Sequence, residues 1–298
     1  MKILVLLAAY NGEKFIEEQI DSILGQKDVT VTLQVSDDNS KDNTINLVKK
    51  YPNISLNKNE IGTGSAATNF LKMIKELDFN NHFDYIALSD QDDIWLSDKL
   101  RVAVEKLEQE SVDLYCSNLT KWNKTENSYS NLKKDFPQKK FDYLFEGGSA
   151  GCTYVFTKIF AIELQKFIFQ LEYSNWKEFS HDWLIYFFAR SRKYKVFIDS
   201  NSYIHYRLHN DNVHGHLNVL SFQTIKYKLG EVFNNYYQNH VENYIKYVEI
   251  NSEEYNIYQK FLGNYFQRNF IVLKYNTQLM RDNKKFLLFA VLNLLKLR

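Results

Sequence analysis

Three carboxylates fall within four positions, Asp90, Asp92 and Asp93, at the end of the stretch Asp-Tyr-Ile-Ala-Leu-Ser-Asp-Gln-Asp-Asp-Ile-Trp that runs from Asp84 to Trp95. In an extended chain, residues i and i+2 point to the same side, so Asp90 and Asp92 can converge on one point. Carboxylates that close repel one another unless a cation lies between them. A hard divalent ion such as Mg²⁺ or Mn²⁺ takes oxygen ligands from one or two carboxylates and fills its remaining positions with diphosphate oxygens and water. The plainer alternative is a solvated acidic turn ahead of a helix capped by Asp98.

What decides between them is how the acids are delivered. Tyr85 to Ser89 is a short, mostly apolar run of strand character that hands Asp90 to its own C-terminal end. Two earlier strands also stop at polar turns, and the second of them likewise hands acids to its C-terminal end. Ile3 to Leu7 predicts a first strand that ends at Ala8-Ala9-Tyr10-Asn11-Gly12, and helical spacing follows from Glu13 to Leu24, closed by Gly25. Val29 to Val35 alternates as a strand and stops at Ser36-Asp37-Asp38-Asn39-Ser40, with Asp42 or Asn43 capping a short helix. Ile54 to Leu56 predicts a third strand, and Asn59 to Asn69, with Gly62 and Gly64, a flexible loop feeding a helix around Phe70.

Four β-then-α units within about 110 residues imply an α/β fold, an open and mostly parallel sheet with helices on both faces. Ligands of such sheets bind beyond the carboxyl ends of the strands, which is where Tyr10, Asp38 and the Asp90/Asp92 pair fall. The first turn lacks Gly-x-Gly-x-x-Gly and no Walker-type Gly-Lys-Ser/Thr occurs, so neither a dinucleotide fold nor a P-loop is indicated.

Further along, a helix through Leu100, Val104 and Leu107 precedes a strand from Val112 to Cys116. Residues 118–140 are polar and are expected to form a surface excursion. Glu146 to Thr153 is rich in small residues, which suits either a tight turn or a loop lying against substrate. His181 and Asp182 open an aromatic helical run to Arg190, where Asp182 could also serve as a simple N-terminal cap. After a strand from Val196 to Ile198 come His205, Arg207 and His209, groups able to meet a metal or a diphosphate.

Composition narrows the class. The 298 residues carry 45% hydrophobic side chains and a net charge of only +1, enough for a large core and no argument for a nucleic-acid partner. Cys116 and Cys152 lie far apart in apolar or small-residue surroundings, as core residues do. The N-terminal apolar run is too short for a secretory signal, which predicts a cytoplasmic protein, and no run approaches a membrane span. From Leu217 onward the chain is helical and strongly aromatic, either a packing arm or a docking surface for a membrane or another subunit. Its last stretch, Phe286 to Leu295 flanked by Lys284, Lys285, Lys296 and Arg298, could lie in the interface of an anionic membrane without spanning it.

Taken together, Ala8 to Gly12, Val35 to Ser40, Ser89 to Trp95, the Gly147 to Thr153 loop, His181-Asp182-Trp183 and Tyr206 to His209 resemble glycosyltransferase family 2, in particular the bacterial rhamnosyltransferase-like enzymes of capsule, O-antigen and cell-wall polysaccharide assembly. The resemblance covers roughly residues 2 to 215. It implies a GT-A fold with a catalytic domain over 1–216 and a helical extension over 217–298. The donor it implies is a dTDP- or UDP-linked sugar, used with Mn²⁺ or Mg²⁺ and with inversion at the anomeric carbon. The acceptor it implies is a glycan or polyprenyl-diphosphate-linked molecule, and peripheral contact with the inner face of the cytoplasmic membrane and a homodimer are further partners such an enzyme could have.

Carried over by position, the turn Ala8, Tyr10 and Asn11 and the carboxylate of Asp38 would hold base and ribose, with Asp37 supporting that loop and Asn69, Gln91 and Arg207 completing the donor site. Asp92 would ligate the metal, Asp90 the ribose or the metal, and His205 or His209 the metal or diphosphate. Asp182 matches the family's catalytic base, with Gly148, Ser149, His181 and Trp183 on the acceptor side. Two positions depart from the family pattern: Ala8 stands where Thr or Ser is frequent, and His181 where a Glu commonly precedes the base. Alternatives are a UDP-hexose or UDP-N-acetylhexosamine transferase, a nucleotidyltransferase, for which Gly12-Glu13-Lys14 is a poor triphosphate loop, and a non-catalytic glycan-binding protein, which has no need of three acids in one crevice.

Overall fold

Every residue from Ile3 to Ala9 is buried, so this strand must be covered on both faces, as the central strand of a parallel sheet is. In the computed structural model, which describes residues 1–208, 230 and 235–296, it is β1 (Lys2–Ala9). On one side it pairs in parallel with β2 (Thr30–Asp37), running from Lys2 opposite Thr30 to Ala9 opposite Asp37. On the other it pairs in parallel with β4 (Tyr85–Ser89), with Leu7 opposite Ser89. β3 (Ser55–Lys58) lies outside β2, also parallel. The carboxyl ends of β1, β2 and β4 therefore align.

Beyond β4 the sheet changes direction. β8 (Val155–Thr157) runs antiparallel to β4 and to β6 (Leu114–Asn123), β9 (Val196–Arg207) is parallel to β6, and β5 (Ile94–Trp95) closes the order antiparallel to β9. β7 (Ser128–Leu132) pairs antiparallel with β6 off this path. The sheet is thus mixed. Two strands outrun their expected lengths: β6 continues from the expected Cys116 to Asn123 and, with β7, makes a hairpin of the segment expected to be a surface excursion. β9 continues from Ile198 to Arg207, with an irregularity in its pairing to β6 around Asn118.

Helices cover this sheet by burying one row each. α1 (Ile16–Leu24) buries Ile16, Gln19, Ile20 and Ile23, and α2 (Thr44–Val48) buries Leu47 and Val48. α3 (Ala66–Lys75) is capped by Ser65, whose hydroxyl accepts from the Thr68 N–H at 3.2 Å. α4 (Lys99–Gln109) buries Leu100, Ala103, Val104 and Leu107, while α5 (Lys158–Phe169) is capped by Thr157. α6 (His181–Ser191) is buried from Trp183 to Ala189, all the way round, so its first turn is what remains for chemistry.

The chain divides into two units, one of Met1–Asp135, Gly148–Leu171 and Ser180–Asp211, the other of Phe136–Gly147, Glu172–Phe179 and Asn212–Arg298. The described helices of the second are α7 (Tyr236–Tyr244), α8 (Glu253–Phe261), α9 (Tyr265–Tyr275) and α10 (Asn283–Leu295). Its core is aromatic, with Phe145 meeting Tyr258, Phe261 and Phe289, and Trp176 edge-on to Tyr244. Buried Glu146 is paired with Lys285 at 2.8 Å and Arg281 at 3.4 Å, and although burial opposes it, these cations hold its carboxyl below the usual range.

Candidate active site

The chain leaves β1 through Tyr10 and turns at Asn11, a left-handed residue with φ of 48°. This turn is fastened to the one after β2. Asn11 N–H donates to Ser40 Oγ at 2.8 Å, Asn11 Oδ1 accepts from the Lys41 N–H at 2.8 Å, and Gly12 N–H donates to Thr44 Oγ1 at 2.7 Å. It is fastened equally to the acidic turn after β4: the Gln91 amide accepts from Tyr10 N–H at 2.8 Å and donates to Tyr10 O at 2.9 Å. A Cβ on Gly12 would lie 2.3 Å from Gln91 Oε1, so the glycine makes room for that amide. Ala8 is buried, whereas Tyr10 is 56% exposed at the crevice edge.

Asp38, expected to meet the nucleotide, is turned to the 59–65 loop. Its carboxylate accepts from Asn59 Nδ2 at 2.9 Å, Thr63 N–H at 2.7 Å, Thr63 Oγ1 at 3.0 Å and Gly64 N–H at 3.2 Å, and so orders the segment expected to be flexible. Asn69 is likewise internal, joining Ser36 and Asn59. Asp37 is fully buried and accepts from the Ser40 N–H at 3.0 Å.

The acids after β4 are the electrostatic centre. Burial first, then the charges of Asp92 and Asp182, push the Asp90 carboxyl up to about 7. Asp182 thus belongs to the same crevice as Asp90, although 92 positions separate them in the chain. Asp93 is buried, and burial with Asp92 and Asp90 raises it well above the carboxylate range. Ligand atoms of Asp90, Asp93 and Cys152 lie within 4.8 Å of one another, with the Cys152 thiol hydrogen-bonded to Asp93 and itself pushed up by burial. A thiol held protonated is a poor ligand, so the donors this group offers are the carboxylate oxygens of Asp90 and Asp93, which suit a hard divalent cation; Asp92, the expected metal ligand, is not part of the group. Lys99, the first residue of α4, reaches in from behind. Its buried Nζ lies 3.7 Å from the Trp95 ring centroid, has no hydrogen-bond partner among the described residues, and is lowered to about 7 by burial.

Arg207, expected beside a diphosphate, is instead 2% exposed. Its Nε donates to the Asp92 carbonyl at 2.9 Å, its main-chain N–H to Asp93 Oδ1 at 3.3 Å, and its Nη2 pairs with Glu18 at 2.5 Å, with the guanidinium over the Phe15 and Trp122 rings. His205 sits against Tyr129 and Trp122, and burial lowers its pKa; the structure does not group it with the acids. His209 lies outside the described residues.

On the far side of the crevice, α6 presents Asp182 in its first turn. Its carboxylate takes the Trp183 N–H at 2.7 Å and the Ser180 hydroxyl. Tyr154, buried on the way into β8, fixes this turn: its hydroxyl donates to the Asp182 carbonyl at 3.2 Å and accepts the N–H groups of Gly148 and Ser149 at 3.2 Å each. Ser149 Oγ donates to Ser117 O at 2.6 Å, so Gly148 and Ser149 are anchored as a wall beside Asp182. His181 packs against Phe70 with ring centroids 4.5 Å apart and planes tilted by 32°, and burial lowers its pKa against the pull of Asp182. Its Nε2 occupies the space that a Cβ on Gly151 would need, 2.1 Å away. Trp183 is 3% exposed and belongs to the core.

Reading the sequence alone missed Glu18, Lys99, Cys152 and Tyr154. Lys99 carried the one available signal, a lysine at the start of an otherwise apolar helix face six positions after Asp93.

Comparison with known proteins gives the family and the fold. The family model described as "Glycosyl transferase family 2" matches residues 4–166. A dTDP-rhamnosyl transferase, RfbG of Shigella flexneri, is 40% identical over 245 residues, 79% of this chain and 82% of that protein. A UDP-Glc:alpha-D-GlcNAc-diphosphoundecaprenol beta-1,3-glucosyltransferase, WfgD of Escherichia coli, is 29% identical over 121 residues, 38% of this chain and 44% of that protein. Among solved structures, S. aureus TarS in complex with UDP-GlcNAc matches with a TM-score of 0.57 at 14% identity, over 98% of this chain and 90% of that one. The mannosyltransferase PcManGT from Pyrobaculum calidifontis, in complex with GDP-Man and Mn²⁺, matches with a TM-score of 0.51 at 13% identity, over 99% and 87%.

Proposed function

Because the chain belongs to glycosyl transferase family 2 and is a nucleotide-sugar glycosyltransferase of polysaccharide synthesis, we propose that it transfers rhamnose from dTDP-rhamnose, with inversion, to a growing lipid-linked glycan. The likeness to the rhamnosyl transferase over most of both chains supports the donor. What supports the reaction is that Asp90, at the end of β4, feels the charges of both Asp92 and Asp182, the latter in the first turn of α6.

An inverting transfer is a single in-line displacement. Asp182, set at the start of α6 with its carbonyl held by Tyr154, takes the proton of the acceptor hydroxyl as that oxygen attacks the anomeric carbon, a contribution typically of about 10²- to 10⁴-fold. Gly148, Ser149 and His181 line the acceptor's approach. A hard divalent cation, when bound by Asp92 and Asp90, supplies charge compensation for the departing diphosphate. Asp93, held by the Arg207 main chain, and Arg207 itself keep those carboxylates in place. The Tyr10 turn and the loop ordered by Asp38 carry the nucleoside. Residues 1–216 form the catalytic domain in this reading and 217–298 the docking extension.

A UDP-glucose donor is the second reading, favoured by the WfgD match. Calorimetric titration with dTDP, UDP and GDP, each with Mn²⁺ and with EDTA, separates them. Metal-dependent preference for dTDP is expected; preference for UDP discards rhamnose, and no binding to any of the three removes the donor-site reading. Asp92→Ala is expected to abolish metal-dependent binding, whereas Asp182→Asn leaves it near normal and stops transfer.

A further inference from the structure

In the second unit, α9 and α10 run antiparallel, with the Tyr265 hydroxyl at the start of one donating to the Leu294 carbonyl near the end of the other at 3.0 Å. The apolar stretch expected to meet a membrane is only partly available, because Phe286, Phe289, Ala290 and Leu292 are buried in that unit's own core. Each helix nevertheless leaves a second apolar row outside. On α9 it is Phe266, Phe270 and Leu273, 79%, 56% and 59% exposed at i, i+4 and i+7 spacing. On α10 it is Leu287, Val291 and Leu295, 64%, 43% and 61% exposed at i, i+4 and i+8. Scattered exposed apolar residues need no explanation, but two such rows on neighbouring helices mark a docking surface.

Charge selects what docks there. From 265 to 298 the sequence has seven Lys and Arg against one acid, Asp282; Arg268, Arg281 and Lys296 are buried and Lys285 pairs with Glu146, which leaves Lys274 and Lys284 as the exposed described cations beside the rows. Lys274 and Lys284 are exposed, each within three residues of a row, and Lys260 Nζ lies 5.8 Å from the Phe270 ring centroid. A second copy of this chain would set basic rows against basic rows. An anionic lipid surface would accept both the rings and the ammonium groups, with the Lys stems lying along the apolar rows. No described helix is long and apolar enough to cross a membrane, which leaves contact from one side.

We propose that the α9 and α10 rows form a peripheral docking surface for an anionic membrane. This deepens the proposed function by naming where a lipid-linked acceptor is met, and it stands on observations independent of the donor. The test is sedimentation of the full chain with vesicles of phosphatidylglycerol and phosphatidylethanolamine, and with vesicles of phosphatidylcholine alone. The expected result is binding to the anionic vesicles that weakens at high salt and falls at least about tenfold in the triple variant Phe266→Ser, Phe270→Ser, Leu287→Ser. A Lys274→Glu, Lys284→Glu variant, which keeps the apolar rows, should lose the preference for anionic lipid. Thermal unfolding and vesicle-free titration with dTDP and Mn²⁺ report separately whether the variants fold and whether the donor reading holds. Absence of vesicle binding by the parent chain, undiminished binding by both variants, or equal binding to both kinds of vesicle overturns the proposal. So does a dimer that the triple variant dissociates.

Discussion

Arg207 donates its Nε–H to the main-chain carbonyl of Asp92 across 2.9 Å, from the end of β9 to the acidic turn after β4. The guanidinium is closed in by Glu18, Phe15 and Trp122, so its role in this geometry is to hold the turn. Arg207→Lys keeps the charge and loses the planar fork. Mn²⁺-dependent nucleotide binding is expected to weaken about 10- to 100-fold, as when an outer support of a metal ligand is lost. Titration in EDTA supplies the contrast: a direct diphosphate contact would show as lost affinity there too.

Tyr154→Phe removes one hydroxyl that serves three main-chain groups, the Asp182 carbonyl and the Gly148 and Ser149 amides. In the proposed function those groups lie on the acceptor side, so donor affinity should stay within about twofold while the transfer rate falls by about tenfold or more. Equal losses in both measurements would mean that the hydroxyl supports the whole crevice and not the base alone.

Gly151→Ala would place a Cβ 2.1 Å from His181 Nε2, a distance no relaxation of the methyl can relieve. The ring must leave its position on Phe70, next to Asp182. Loss of transfer by at least about tenfold is expected, together with lowered thermal stability. Combining it with His181→Ala should restore the stability, a non-additivity that a double-mutant cycle reads directly.

Asp90 titrates near 7 in the folded protein against an ordinary 3.8, because burial and then Asp92 and Asp182 oppose its charge. The folded state holds a proton that the unfolded chain releases between about pH 4 and 7, so this group's contribution is fully present below about pH 4 and is lost as pH rises through 7. In EDTA, Asp90→Asn should therefore raise the melting temperature by several degrees at pH 8 and change it little at pH 4. No difference between the two pH values would place Asp90 in a more solvated setting than the structure gives it.

The half of the site carried by β1, β2 and β4 was legible because those strands are apolar runs that stop at polar turns, and the stop is where ligands meet a parallel sheet. The hairpin of β6 and β7 was not. Residues 128–131 are exposed on both faces, so no alternation marks them, and Trp122 with Tyr129 shows only in space as the wall behind Arg207 and His205. β8 is three residues long, below the length at which a period can be read. Nor could sequence tell a ligand from its support: Arg207 and Asp38 have the right chemistry for a nucleotide sugar, yet their partners in the fold are Glu18 and the Thr63 loop.

The amide of Gln91 fills the space that Gly12 leaves empty, and the two are 79 positions apart in the chain. Change at one is therefore conditional on the other. A lineage that shortens residue 91 first can later accept a side chain at 12, whereas the reverse order passes through an intermediate in which the amide and the new methyl compete for one volume. Either order has a cost, since shortening residue 91 also gives up its two hydrogen bonds to the Tyr10 main chain, so the two positions form one epistatic unit.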